Sequence, residues 1–160
     1  MNSQEDLVLV ASESRPGRIL AIDLGDKRIG LAISDPLGMT AQGLPTLARR
    51  NTRQDQSFLR SVVKQYGIAL IVLGNPLNMN GTEGSQSAKA RQFAAQLSRR
   101  LKVEVQLWDE RLTSVEAERV LKESGMRPDR TAGAVDRLAA VLLLQNFLDS
   151  RRTALSAGEE

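Results

Sequence analysis

The alternation of apolar and polar residues predicts that the folded chain opens with three adjacent strands. Arg18 to Leu24 is a nearly continuous apolar run that is typical of a buried strand, and a Gly-Asp pair after it supplies a turn. Arg28 to Ser34 alternates as a hairpin partner, and Thr40 to Leu47 follows another turn. We therefore predict a meander of three strands.

Beyond the meander, the spacing of apolar residues changes to that of helices separated by short strands. Apolar positions from Phe58 to Tyr66 predict a helix that Gly67 ends, and Thr113 with Glu116 has the form of a capping box opening a helix that Gly125 closes. The remaining predicted elements are a strand at Ala69 to Leu73, a helix at about Ser85 to Leu101, a strand at Val103 to Trp108 and a well-buried helix at Val135 to Leu148.

This order, β-β-β-α-β-α-β-α, predicts an α/β fold: a mixed five-stranded sheet with helices on both faces. The crossover rule makes the later strands parallel to the first and leaves the second antiparallel. We expect one domain over residues 18–150, between flexible tails at residues 1–17 and 151–160. In such sheets ligands bind beyond the carboxyl ends of the parallel strands.

Composition restricts the chemistry available at that edge. The 160 residues include no cysteine and no histidine, which excludes a thiol nucleophile, a zinc finger and a histidine general base. Any metal must be held by oxygen, which favours magnesium, manganese or calcium. The first residues do not resemble a targeting signal, and the longest apolar stretch is too short for a bilayer, so we expect a cytoplasmic protein without a membrane partner.

Carboxylates mark three places in the predicted fold. Asp23 interrupts the first apolar strand, Asp109 and Glu110 follow the last one, and Asp136 stands in the first turn of the last helix. Adjacent residues of a strand point to opposite faces, so only one of Asp109 and Glu110 can share a side with Asp23. Three converging carboxylates are what two divalent ions need to hold a phosphodiester.

Basic residues indicate how a nucleic acid would be held. The net charge of +3 permits such a partner, and with only five aromatic residues a base-stacking platform is not expected, so phosphates would be the contacts. Basic clusters occur at Arg49, Arg50 and Arg53, at Arg99, Arg100 and Lys102, and at Arg127, Arg130 and Arg137. The candidate nucleic-acid-binding residues beside the carboxylates are Lys27, Arg28, Asn75 and Arg111.

Four stretches in this order resemble the YqgF (RuvX) family: ILAIDLGDKRIGLAISD, IVLGNPLNMNGTEG, WDERLTSVEAERVL and VDRLAAVLLLQNFL. The resemblance implies a ribonuclease H-like fold with two Mg²⁺ or Mn²⁺ ions, and it assigns catalysis and metal binding to Asp23, Glu110 and Asp136. It thereby selects Glu110 over Asp109. A fourth ligand stays open between water, Asp109 and a residue of Met126 to Gly133.

The same resemblance implies a nuclease that processes the 5′ end of the 16S rRNA precursor, acting on structured RNA and on ribosomal precursor particles. An alternative is a Holliday junction resolvase that cuts branched DNA, and the sequence leaves open whether the protein is a monomer or a homodimer. Two less favoured classes are a nucleotide-binding fold of the actin and hexokinase type and a non-catalytic nucleic-acid-binding or protein-binding module.

Overall fold

The computed structural model describes residues 17–111, 119–120, 122–123, 125 and 128–158, with the side chains of the last helix described over 134–155. The elements are β1 (Arg18–Leu24), β2 (Arg28–Ser34), β3 (Ala41–Ala48), α1 (Thr52–Tyr66), β4 (Ile68–Asn75), α2 (Ser85–Leu101), β5 (Glu104–Asp109) and α3 (Pro128–Gly158). Within these residues no helix is long and apolar enough to cross a membrane.

The strands form one five-stranded sheet in the order β3-β2-β1-β4-β5. β1 pairs antiparallel with β2 and parallel with β4, which in turn is parallel to β5. The predicted mixed sheet is therefore confirmed, including the directions of its strands. Consequently the carboxyl ends of β1, β4 and β5 meet at one edge.

Each face of the sheet has its own apolar core. On one face, α1 and α2 pack against alternate strand residues, including Leu20 and Ile22 of β1. On the other face, α3 packs against the intervening residues, such as Ile19 and Ala21. Because β1, β2 and β4 are covered on both faces, they are apolar at nearly every position.

Local signals explain where the helices begin and end. The side chain of Asn51 accepts a hydrogen bond from the backbone N–H of Gln54 and caps α1, and Gly67 ends that helix with φ 64°, as predicted. Strands β1 and β2 and helix α2 have the predicted bounds, while β3, β4 and β5 are displaced or extended by one or two residues.

The last helix differs most from its prediction. α3 begins seven residues before Val135 and continues through Gly158, so residues 151–158, predicted as a tail, are helical. Ion pairing within the helix, between Asp149 and Arg152, supports this continuation. The proposed capping box at Thr113 and Glu116 lies outside the described residues, and Gly125 has the left-handed φ of 77° expected at a helix end.

Candidate active site

A row of four residues crosses the α3 face of the sheet at the carboxyl ends of β1, β4 and β5. Asp23 pairs with Gly30 of β2, and Gly74 of β4 follows Leu73, the partner of Ile22. Glu110 follows β5, whose Trp108 pairs with Gly74. The four residues Gly30, Asp23, Gly74 and Glu110 each stand two positions from a residue packed against α3, namely Ala32, Ala21, Val72 and Trp108.

Gly74 makes room for Glu110. A Cβ added to Gly74 would overlap Glu110 Oε2 and lie 3.0 Å from its Cδ, so any larger residue would displace the carboxylate. The backbone N–H of Glu110 donates to the carbonyl of Asn75 at 3.3 Å, which continues the contact of the two strands past the end of β5. Glu110 is thus held directly over the end of β4, beside Asp23.

Gly30 has the corresponding role for Asp136. A Cβ at Gly30 would overlap the carbonyl oxygen of Asp136 and lie 2.7 Å from its carbonyl carbon, so α3 can approach β2 this closely only over a glycine. Arg28 then donates from Nε to Asp136 Oδ2 at 2.8 Å. Since Gly30 pairs with Asp23, the same contact places Asp136 next to Asp23.

Electrostatics show that these carboxylates interact. Burial raises the pKa of Glu110 to about 8, and the charge of Asp23 and the hydrogen bond to it add to the increase. Burial also raises the pKa of Asp23, with a further contribution from the charge of Asp136, while its hydrogen bond to Glu110 acts in the opposite direction. The raised pKa values favour a proton shared by Asp23 and Glu110 near neutral pH.

The donor set fits a hard divalent cation. The shared proton neutralises one of the two negative charges of the Asp23–Glu110 pair, and a divalent cation would neutralise both. Among the described residues, however, no three acidic side chains form a group that could hold a metal in the present arrangement. The geometry accounts for this, because the Asp136 carboxylate is directed to Arg28 rather than to the Asp23–Glu110 pair.

Asp109 and Arg111 form a separate pair. Arg111 lowers the pKa of Asp109 through a side-chain hydrogen bond, and their ion pair measures 2.7 Å. The Arg111 guanidinium also donates to the carbonyl of Met79, so it joins β5 to the loop that follows β4. Asp109, one of the options for a fourth metal ligand, is therefore already paired, while residues 126–127 and the side chains of 128–133 lie outside the described part.

The other predicted nucleic-acid-binding residues lie in different settings. Lys27 is exposed in the turn between β1 and β2, and Arg28 is occupied by Asp136. Asn75 is only 8% exposed, and its side-chain oxygen accepts a hydrogen bond from Ser87 Oγ at 2.6 Å. The structure thus gives Asn75 a role in holding α2 to β4, and its contact with nucleic acid stays a prediction.

Sequence reasoning missed the two glycines. Both stand within apolar strands, where a glycine often marks a close approach of another backbone or side chain. The same alternation decides between Asp109 and Glu110: Trp108 packs edge to face on Phe147 of α3, so Glu110, two residues later, is on the α3 side.

Solved structures similar to this one define its class of fold. Thermus thermophilus RuvC in complex with a Holliday junction substrate matches with a TM-score of 0.52 at 14% identity, over 85% of this chain and 96% of that one. Fowlpox virus resolvase in complex with Holliday junction DNA matches with a TM-score of 0.51 at 13% identity, over 83% and 97%. The chain therefore has the ribonuclease H-like fold of the RuvC-type resolvases.

Sequence comparison then gives the family. The profile described as "RuvX: Holliday junction resolvase" matches residues 17–150, and the chain belongs to this family. A relative from Koribacter versatilis is 57% identical over 135 residues, covering 84% of this chain and 88% of its own. A relative from Syntrophus aciditrophicus is 48% identical over 133 residues, covering 83% and 89%. Both carry the name "Putative pre-16S rRNA nuclease".

Proposed function

We propose that this protein is a metal-dependent nuclease that hydrolyses phosphodiester bonds in the precursor of 16S rRNA, at its 5′ end. The observation that carries the proposal is the convergence of three carboxylates at the carboxyl ends of β1, β4 and β5: Glu110 lies over Gly74, beside Asp23, and Asp136 lies over Gly30, the strand partner of Asp23. The names of its relatives support the RNA substrate.

Asp23, Glu110 and Asp136 would hold Mg²⁺ or Mn²⁺, which when bound activates water and stabilises the charge on the leaving oxygen. The residues of this chain have definable tasks around that chemistry. Gly74 keeps Glu110 in place over β4, and Gly30 keeps α3 close to β2. A proton shared by Asp23 and Glu110 has to leave before the pair can act as a set of anionic ligands.

Arg28 has two tasks in this proposal. In the present arrangement it neutralises Asp136, with 40% of its own side chain exposed. When Asp136 turns to join the other two carboxylates, Arg28 is released at the edge of the site, where it can bind a substrate phosphate. Lys27, exposed in the adjacent turn, extends this positive edge.

A second candidate function uses the same residues. The family description names a Holliday junction resolvase, and the solved structures of similar fold include resolvases bound to junctions. Branched DNA is therefore the alternative substrate, and a homodimer would favour it because symmetric cutting needs two sites.

The test is a cleavage assay with Mn²⁺ on two labelled substrates, a 16S rRNA precursor fragment and a four-way DNA junction. We expect the wild type to cut the RNA and Asp23→Asn to lose at least roughly 10³-fold in rate, because the variant lacks one anionic ligand of the pair. Asp26→Asn is the matched control, since Asp26 is exposed in the turn three residues away.

If the protein cuts only the four-way DNA junction, branched DNA replaces RNA as the proposed substrate. If the wild type cuts neither substrate, or if Asp23→Asn cuts as fast as Asp26→Asn, the proposed active site is wrong. Circular dichroism of the three proteins shows whether each is folded.

A further inference from the structure

The groove between α1 and α2 is lined by basic residues that are distant in sequence. Arg53 and Arg60 of α1 line a cavity of about 410 Å³ together with Arg100 of α2. The Arg60 guanidinium donates to the backbone carbonyl of Arg100 at 2.8 Å, which fixes the two helices side by side here. Two basic clusters of the sequence thus become one surface.

Helical spacing makes this surface a continuous stripe. On α1, Arg53, Ser57, Arg60 and Lys64 follow one another at intervals of three or four residues, so they lie on one side of the helix. On α2, Lys89, Gln92, Gln96 and Arg100 do the same. The helices meet across the groove at Arg60 and Arg100 of these stripes, and Gln56 beside them is hydrogen-bonded to Gln96.

Negative charge is nearly absent from these helices. α2 contains no acidic residue, and the single one in α1, Asp55, is 1% exposed and paired with Arg49. Within the described part of the chain, Arg53, Lys89 and Arg100 have no acidic partner, and Arg60 contacts a backbone carbonyl only. The exposed guanidiniums of Arg53, Arg60 and Arg100 are therefore available for phosphates.

The groove leads to the edge of the sheet that carries the carboxylates. A second cavity, of about 270 Å³, is lined by Lys89 and Gln96 of α2 and also by Gly25, Gly74 and Pro76 at the strand ends. It adjoins the arginine cavity at the hydrogen bond from Gln56 Nε2 to Gln96 Oε1. Gly74 therefore contacts Glu110 on one face of the sheet and lines the groove on the other.

We infer that the groove between α1 and α2 binds the sugar–phosphate backbone of the substrate nucleic acid beyond the scissile bond, with Arg53, Arg60 and Arg100 contacting phosphates. The inference rests on the proposed function in one respect, that the partner is a nucleic acid. The groove extends along both helices, so it suits a strand of several nucleotides rather than a single phosphate. Its contacts would be independent of base sequence.

The test measures how binding depends on salt. Binding of a fluorescein-labelled 16S rRNA precursor fragment is followed by fluorescence anisotropy between 50 and 300 mM KCl, without divalent metal so that the RNA is not cut. Each phosphate contact contributes about 0.7 to 0.9 to the slope of log K against log salt. We expect Arg53→Gln/Arg100→Gln to lower this slope by about 1.5 and to weaken binding at least roughly tenfold at low salt.

The matched control is Arg151→Gln/Arg152→Gln, which removes the same charge from exposed positions on α3. We expect its slope to equal that of the wild type. Equal slopes in the two double variants would overturn the inference, as would an unmeasurable affinity of the wild type. Thermal melting checks folding, and Arg60 is left unchanged because it joins the two helices.

Cleavage is scored separately on the same proteins with Mn²⁺ added. If the wild type does not cut but Arg53→Gln/Arg100→Gln still lowers the slope, the proposed nuclease activity fails while the groove stands. If the wild type cuts and the slope does not change, the groove fails while the nuclease stands.

Discussion

The two faces of the sheet are covered by groups of opposite charge. On the α3 face, Asp23 and Glu110 share a proton and lie beside Asp136, with Arg28 as the basic residue that is paired there. On the α1 and α2 face, arginines line a groove in which the lone acidic residue of the helices is buried and already paired.

The difference in charge depends on which face of the sheet a strand residue points to, not on how far apart the residues are in the chain. Neighbouring residues of a strand reach opposite faces, so Asp23 faces α3 while Leu24 lines the cavity on the other side. A sheet edge can therefore combine a site that repels phosphate until cations are bound with a surface that attracts it. Variants that change one face should leave the other intact.

Among the variants that compare the two faces, Gly74→Ala is expected to have the largest effect. Its new methyl group points to the α3 face and would overlap Glu110 Oε2, so the carboxylate has to move. A displacement of about 1 Å at a catalytic group can cost roughly 100-fold in rate, and we expect a loss of cleavage of that size. RNA binding through the groove should keep its salt slope.

Gly38→Ala is the control for this variant. Its Cβ would meet open space, but the φ of 70° is strained for alanine, so we expect a loss of about 1 kcal/mol in the free energy of unfolding with unchanged cleavage. If Gly74→Ala cuts at the wild-type rate, the close fit of Glu110 on β4 is not needed for activity. If Gly74→Ala loses RNA binding as well as cleavage, the two faces are not independent.

The pH dependence of stability tests the carboxylate face alone. Because the pKa of Glu110 is raised from 4.5 to about 8, the folded protein binds a proton that the unfolded chain has released. The stability due to this proton is complete below about pH 4.5 and is lost as the pH rises to 8. In metal-free buffer we expect the free energy of unfolding to fall between pH 5.5 and 8, by up to about 1.4 kcal/mol per pH unit.

Urea unfolding of the wild type and of Glu110→Gln measures this effect. The amide keeps a donor for Asp23 but has no proton to lose, so the variant should show a much flatter profile. The lowered pKa values of Asp35, Asp109 and Asp149 do not interfere, because their contributions are complete above the ordinary range of aspartate. The raised pKa of Asp23 contributes a change of the same sign as Glu110, so the difference between the two proteins, rather than the slope of either one, reports on Glu110. The same slope in both proteins would show that Glu110 is not the group that holds the proton.

The sequence predicted most of the sheet because alternation and turn residues act locally. β1 and β2 are continuous apolar strands around a Gly-Asp turn, and α1 ends at a glycine. The extent of α3 could not be predicted from the pattern of apolar residues, since residues 151–158 are mostly charged, polar or small and form no apolar stripe. Their helical state follows from continuity with the buried turns before them.

The candidate site was predictable in composition but not in arrangement. Strand ends and the absence of histidine indicated Asp23, Asp136 and one of the two carboxylates after β5. The pairing of Arg28 with Asp136 could not be predicted, because it depends on how closely α3 approaches β2 over Gly30. The basic groove also required the tertiary structure, since Arg60 and Arg100, which meet in it, are 40 residues apart in the chain.

The smallest of the expected effects is that of Arg28→Gln on the Mn²⁺ requirement. If Asp136 is a metal ligand, as proposed, Arg28 competes with the metal for its carboxylate, and Arg28→Gln should lower the Mn²⁺ concentration that gives half-maximal cleavage. The pair is partly exposed, and such ion pairs contribute up to about 1 kcal/mol, which limits the shift to roughly fivefold. The matched variant is Arg49→Gln, whose guanidinium pairs with Asp55 on the other face and should leave the Mn²⁺ requirement unchanged.

The direction of the change distinguishes the two tasks assigned to Arg28. If Arg28 only holds Asp136 in its present position, its removal lowers the Mn²⁺ requirement and leaves the KM for RNA unchanged. If the released guanidinium also binds a phosphate, the KM rises while the Mn²⁺ requirement falls. A higher Mn²⁺ requirement would contradict both, because it would mean that Arg28 helps to position Asp136 for the metal rather than holding it away.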